Sequence, residues 1–298
     1  MEDNVTMLEG HQFNLFDFAL FLSVMKNPRA YRCVLSILME EPDIELVDVK
    51  VEQVILNRSG KRAIRLDAWA KSADNRQFNM EMQNDSKGDD IRKRSRFYQG
   101  LLDTPLLKSG KGTRYKQLPS TVIIFITQDD IFKRDQAKYT FTERCKEIEE
   151  LELEDGTTKI FFNMTSKNGS QELISLLQYM KETRIDNPNV LVKDSRILEL
   201  DDIVQEVKAS EEWEAVKMNI LEIGIEKGKE IGIERGLLEG RQQGLQQGLQ
   251  QGLQQKLIQL VDKKLKKGWS VAEIADMLEE SEETIQKIVE ELQNDIKE

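Results

Sequence analysis

Between Asn14 and Glu41 apolar residues recur at helical spacing, and Pro28 interrupts them, which predicts two helices or one broken one. From Glu45 to Leu56 the period falls to two, with Val47, Val49 and Val51 on one face, as in a strand. Arg62 to Lys71 and Gln77 to Gln83 are two further strand-like runs, joined through the turn-forming residues Ser72 to Arg76. A helix is expected from about Asp89 to Leu102, and the run "TVIIFIT" at Thr121 to Thr127 is apolar enough for a strand buried on both faces. A second apolar segment, Lys159 to Met164, follows the turn Asp155-Gly156. Ser170 to Lys181 then reads as a helix with its serine at the N-cap. The order begins helix, three meandering strands, helix, strand.

Beyond about Asp186 the pattern changes, and from Leu198 onward no strand is predicted, so a boundary is placed near Asn187 to Asp202. The expected divisions are an α/β domain over residues 1–190, a helical extension over 191–255 and a small helical end over 256–298. The extension carries eight glycines at every fourth position, from Gly224 to Gly252, including the tandem repeat "GLQQGLQQGLQQ". At ~1 kcal/mol each against alanine, they cost an isolated helix about 8 kcal/mol. Two readings follow. One is a low-complexity Gln/Gly linker. The other is a helix whose glycine groove receives a second helix, joining copies of the chain into a homo-oligomer.

After this repeat, Lys256 to Lys267 is expected as a helix ending at Gly268, and "WSVAEIADMLEESEETIQKIVEEL" resembles a helix-turn-helix. Its second helix holds Glu282, Glu283, Glu290 and Glu291, which repel phosphate, so protein contact fits it better than DNA readout.

Composition narrows the chemistry. With 39% hydrophobic residues the chain can build a core, while 33% charged and only 6% aromatic residues imply that part of it is solvated helix. A net charge of −11 argues against a general nucleic-acid coat protein but leaves room for a local basic site. His11 is the single histidine, which excludes Ser/His/Asp triads, Cys/His nucleophiles and histidine-rich zinc sites. Cys33 and Cys145 have no metal-type spacing and suggest reduced thiols. The longest apolar run, Phe13 to Met25, is broken by Asp17 and too short to span a bilayer, so a cytoplasmic protein without membrane association is expected.

The stretch "NMEMQNDSKGDDIRKRSRFYQ" then stands out, because it sets an acidic strand against a basic helix. Alternation puts Ala63, Arg65, Asp67 and Trp69 on one face of one strand, and Asn79, Glu81 and Gln83 on one face of the next. An odd loop such as Ala73 to Asn75 pairs Ser72 with Arg76 and sets Asp67 opposite Glu81. An even loop puts the two carboxylates on opposite faces. Side by side they repel unless a cation lies between them, so loss of one is expected to relieve strain in the metal-free protein. Paired carboxylates suit a hard divalent ion, Mg²⁺ or Mn²⁺, though the pattern also fits a solvated polar face. On the following helix Arg92 and Arg96 are one turn apart, with Lys93 and Arg94 between them. These can form a patch for phosphate, or again a solvated face.

Several stretches in order resemble one family: "DFALFLSVMKNP", "IRLDAWAKSADNRQFNMEMQ", "KRSRFYQGLLD", "YKQLPSTVIIFIT", "YTFTERC", "LEDGTTKIFFN" and "SQELISLLQYM". The family is that of the PD-(D/E)XK nuclease family transposases, the recombination-promoting nucleases. The resemblance implies an α/β restriction-endonuclease-like core, a mixed sheet flanked by helices in the order αβββαβ, followed by the long helical extension. It implies Asp67 and Glu81 as metal-binding carboxylates and Gln83 as the third catalytic position, where the wider superfamily has a lysine. Arg92, Lys93, Arg94, Arg96 and Tyr98 on the helix beside them are expected as the phosphate and nucleic-acid contacts. A glutamine cannot act as a base, so the general base stays open. The implied activity is metal-dependent DNA cleavage linked to mobile elements or phage defence. A nuclease acting on RNA and an inactive scaffold working through the C-terminal helices are the alternatives.

Overall fold

The computed structural model describes residues 12–55, 64–84, 90–106 and 114–295. Expectations resting on His11, Leu56, Arg62, Ala63 and Asp89 therefore lie outside the described residues. The chain falls into two compact units, Met1–Asn219 and Ile220–Glu298.

The first unit opens with helices α1 (Phe18–Met25) and α2 (Pro28–Leu38). Pro28 separates them as its chemistry requires: it occupies the first turn of α2, where a missing N–H costs nothing, and Asn27 caps that turn by accepting from the Arg29 N–H at 2.9 Å. Strands β1 (Leu46–Ile55), β2 (Ile64–Ser72) and β3 (Gln77–Gln83) form an antiparallel meander. Helix α3 (Ile91–Asp103) then carries the chain across to β4 (Thr121–Thr127), which lies parallel to β3. Strands β5 (Lys138–Phe141) and β6 (Thr157–Asn163) complete a six-stranded mixed sheet in the order β1-β2-β3-β4-β6-β5. All seven residues of β4 are buried, as its unbroken apolar run demands of a central parallel strand. The short edge strand β5, with partly exposed residues, escaped the sequence reading.

One face of the sheet packs Ala68, Ala70, Phe78, Met80, Ile124 and Phe162 against α1, α2, α4 (Gln171–Lys181) and α5 (Ser195–Lys208). The other packs Trp69, Ile123, Phe125 and Phe161 against Ile91, Tyr98, Leu101 and Leu102 of α3. The fold is thus the α/β arrangement that the resemblance implied. The expected end of this domain at 190 falls short of the compact unit, because α5 buries Ile197, Leu200, Ile203 and Val204 in the first core and Trp213 joins them. Trp213 meets Phe13 edge to face at 5.2 Å.

A single 55-residue helix, α6 (Glu211–Leu265), runs through all eight ladder glycines, so the expected helix from Lys256 is its final part. An added Cβ at Gly236, Gly240 or Gly244 would meet no atom within 4 Å. Alanine at these three positions should therefore raise helix stability by about 1 kcal/mol each, read as higher helicity on heating by circular dichroism. At the end of α6, Val261 packs with Ile274 and Ala275 of α7 (Val271–Leu278) and with Ile285, Ile288 and Val289 of α8 (Glu282–Asp295). Ser270 and Glu273 form a capping box at the start of α7. Among the described residues no helix is long and apolar enough to cross a membrane.

Candidate active site

The β2–β3 loop settles the parity. Ser72 N–H donates to the Arg76 carbonyl at 3.0 Å across the three-residue loop Ala73 to Asn75, and the register runs on through Ala70–Phe78 to Ala68–Met80. One step further it sets Asp67 opposite Glu81. At that step the ladder gives way to side chains. The Asp67 N–H donates to Glu81 Oε1 at 3.0 Å, and the Met82 N–H donates to Asp67 Oδ2 at 3.1 Å. Each carboxylate takes a backbone donor of the neighbouring strand, so the strands part without leaving those groups unpaired.

The same point inverts the face of β2. Leu66 packs on the α3 side of the sheet and Ala68, two residues on, packs on the other. On β1, Val51 and Ile55 divide in the same way, and Glu52 between them has φ 51°. The pairing continues at Val51–Ala68 and Gln53–Leu66 but omits the rung between Glu52 and Asp67. Strict alternation had put Arg65 beside Asp67. The turnover corrects this, because the Arg65 guanidinium lies over the Phe18 ring of α1 instead, at 5.6 Å.

Glu81 is fully buried and Asp67 is 6% exposed. Glu81 Oε1 also accepts from Asn79 Nδ2 at 3.0 Å, and Glu81 Oε2 accepts from Arg94 Nη2 at 2.7 Å. Arg94 Nη1 donates to Gln83 Oε1 at 2.8 Å and its Nε donates to Tyr98 Oη at 3.0 Å. The guanidinium also lies over the Tyr98 and Phe125 rings, at 5.1 and 5.4 Å. Asp67, Glu81, Gln83, Arg94 and Tyr98 are thus brought together.

Arg92, Lys93 and Arg96 are not part of this group. They lie on the exposed side of α3, and the first two pair with Asp90, the N-cap residue of that helix. The basic patch expected from Arg92 and Arg96 is thus an exposed face of α3 apart from the carboxylates, and the cation bonded to Glu81 is Arg94. Helical phase could have shown this, since Arg94 stands three residues after buried Ile91 and four before buried Tyr98. Asn79, two residues before Glu81 on the same strand face, had no role assigned from sequence. It holds the buried carboxylate in place.

Burial, and then the neighbouring Glu81 charge, push the Asp67 carboxyl up to about 7, against the Met82 N–H, Arg94 and Arg65, which favour the charged form. Burial raises Glu81 as well, opposed by the Asp67 N–H, Arg94 and Asn79. Burial and Glu81 push Tyr98 up to about 12, so it stays a phenol at neutral pH. For Asp67 the sign is destabilising: with 3.8 as its unfolded value, between about pH 4 and 7 the native protein keeps a proton that the unfolded chain has released, and stability falls as pH rises. The Tm advantage of Asp67→Asn over wild type should accordingly be small near pH 4 and greatest above about pH 7 in thermal melts.

The pair also suits a hard cation. Among the described residues Asp67 Oδ1 accepts no hydrogen bond and the buried Asn79 Oδ1 beside Glu81 has no partner, and both oxygens can accept from water. Among the described residues no three His, Cys, Asp or Glu side chains gather, and Asp67 and Glu81 are the carboxylates that the described site offers an ion.

Comparison with the curated proteins and with the solved structures finds no match. A family model described as "PD-(D/E)XK nuclease family transposase" matches residues 16–222, more than half of the chain, and includes every residue of this site. With the mixed sheet and the paired carboxylates at the parting of its second and third strands, the chain belongs to the PD-(D/E)XK nuclease family transposases.

Proposed function

We propose that this nuclease-family protein is a divalent-metal-dependent endonuclease that hydrolyses phosphodiester bonds of DNA, in the setting of recombination, mobile elements or phage defence. The observation that carries the reading is the buried Asp67–Glu81 pair, two carboxylates held side by side, of which Glu81 is bonded directly to the Arg94 guanidinium. Asp67, Glu81 and the Gln83 amide oxygen would hold Mg²⁺ or Mn²⁺, which when bound supplies an activated water and offsets the charge developing on the phosphate. Asn79 and the Asp67 N–H fix the Glu81 carboxylate, and the Met82 N–H fixes that of Asp67. Arg94 supplies a fork of donors for a phosphate oxygen pair. Neither Gln83 nor the phenol of Tyr98 takes a proton at neutral pH, so the proton of the attacking water passes to solvent or to the substrate phosphate.

The test incubates purified protein with supercoiled DNA, single-stranded DNA and RNA, each with Mg²⁺, Mn²⁺ or chelator. Metal-dependent nicking of DNA is expected. Cleavage of RNA alone would replace the substrate class, and no cleavage of any nucleic acid would favour a scaffold.

The ladder of α6 supports self-association as part of the same proposal, because a second helix in the glycine groove offsets a penalty of about 8 kcal/mol. A chain truncated after Glu222 should sediment as a smaller species than the full protein. Equal oligomeric states would remove the ladder as the assembly element.

A further inference from the structure

The Arg94 guanidinium occupies the cation position between Glu81 and Gln83. Its Nη2 is 2.7 Å from Glu81 Oε2 and its Nη1 is 2.8 Å from Gln83 Oε1. Both oxygens belong to the set that the proposed metal would use. A guanidinium and a dication repel each other at such range in a buried site, so neither holds these oxygens fully while the other is there.

The rest of Arg94 is anchored independently of Glu81. Its Nε donates to Tyr98 Oη at 3.0 Å, and its plane lies over the rings of Tyr98 and Phe125. Because the guanidinium is planar and rigid, its Nη groups leave the carboxylate only by a turn of the whole plane, which gives up the Nε–Tyr98 bond while the stem stays in place beside the two rings. With a side chain 23% exposed above a Glu81 that is fully buried, Arg94 is also the member of the pair that faces solvent. Once released, a guanidinium half-buried among aromatic rings requires a new anion, and a phosphodiester offers two oxygens spaced for its fork. Arg92 and Lys93 cannot take this part, being turned outward and paired with Asp90.

We propose that Arg94 is an exchange residue coupling metal loading to nucleic-acid binding. In the free protein it neutralises Glu81 and holds metal affinity down. When a phosphodiester strand arrives, Arg94 passes to the phosphate and yields the Glu81 and Gln83 oxygens to the metal. The inference rests on the metal-dependent nuclease reading above. Because linkage is reciprocal, metal must tighten nucleic-acid binding by the same factor.

The experiment measures Mn²⁺ affinity of the full chain by calorimetry, with and without a short phosphorothioate duplex that resists cleavage. A buffer of about pH 8.5 keeps Asp67, at about 7, ionised. In wild type the duplex should tighten Mn²⁺ binding about tenfold, within the usual range of coupling between sites. Arg94→Gln should bind Mn²⁺ about tenfold more tightly than wild type without duplex, and lose most of the response to it. Arg94→Lys keeps a charge at Glu81 but cannot bridge to Gln83, so it should fall between the two and serves if the glutamine variant is poorly folded. Mn²⁺ affinity that is indifferent to duplex in wild type, or unchanged in both folded Arg94 variants, overturns the exchange. If Mn²⁺ binds and Asp67→Asn abolishes that binding while the Arg94 variants change nothing, the exchange fails and the metal site stands. If wild type binds no Mn²⁺ with or without duplex, both fail.

Discussion

Asp67→Asn should lower metal-dependent cleavage by about a thousandfold while raising Tm above neutral pH. The expected loss reflects removal of a charged ligand from a site whose chemistry rests on two carboxylates, in the range seen when a group that stabilises the transition state is deleted. Asparagine keeps the side-chain size and an oxygen for the Met82 N–H, so the parting of β2 and β3 should survive. The gain in stability follows from removal of one of two adjacent buried charges. Single-turnover cleavage of plasmid DNA and thermal melts on the same preparation read both effects. A variant that is less active and also less stable would point to misfolding in place of a ligand role.

The second large effect concerns stability and reverses an expectation drawn from the sequence. Two adjacent carboxylates suggest that deletion of one relieves strain. The structure shows that Glu81 also serves as the acceptor for the Asp67 N–H, Asn79 Nδ2 and Arg94. Glu81→Ala leaves those donors without their acceptor, and Arg94→Ala leaves a fully buried carboxylate without its counter-ion. Each should cost about 3–5 kcal/mol, the usual penalty for removing one partner of a buried pair, measured as a lower urea midpoint with unchanged slope. Gln83→Ala removes the hydrogen bond to Arg94 from a residue at the solvent edge, and loss of that bond should cost about 1 kcal/mol. Isosteric Glu81→Gln is the better probe of catalysis, since it keeps an oxygen for the backbone donor.

The sequence narrowed the pairing of Asp67 with Glu81 to a question of loop parity, and the three-residue loop Ala73 to Asn75 answers it. The break at Pro28 and the helix cap at Ser170 were legible from a few neighbouring residues. The choice among the arginines of α3 was present in the spacing from Ile91 to Tyr98, but density of charge drew attention to the outward face. The turnover of β2 at Asp67 was not legible. It coincides with the left-handed backbone of Glu52 in the neighbouring strand, a feature outside β2 itself. Likewise, the continuation of the first core through α5 depends on tertiary contacts of Ile197, Leu200 and Ile203, whose sequence pattern is that of any amphipathic helix.

Crystals of the full chain soaked with Mn²⁺ and a short phosphorothioate duplex, with anomalous scattering recorded at the manganese edge, test the central claim most directly. The expected result is an anomalous peak beside the carboxylates of Asp67 and Glu81, absent in Asp67→Asn, with Arg94 turned to a phosphate. An Mn²⁺ peak elsewhere in the molecule, with Glu81 still bound to Arg94 and cleavage retained by Asp67→Asn, would contradict it.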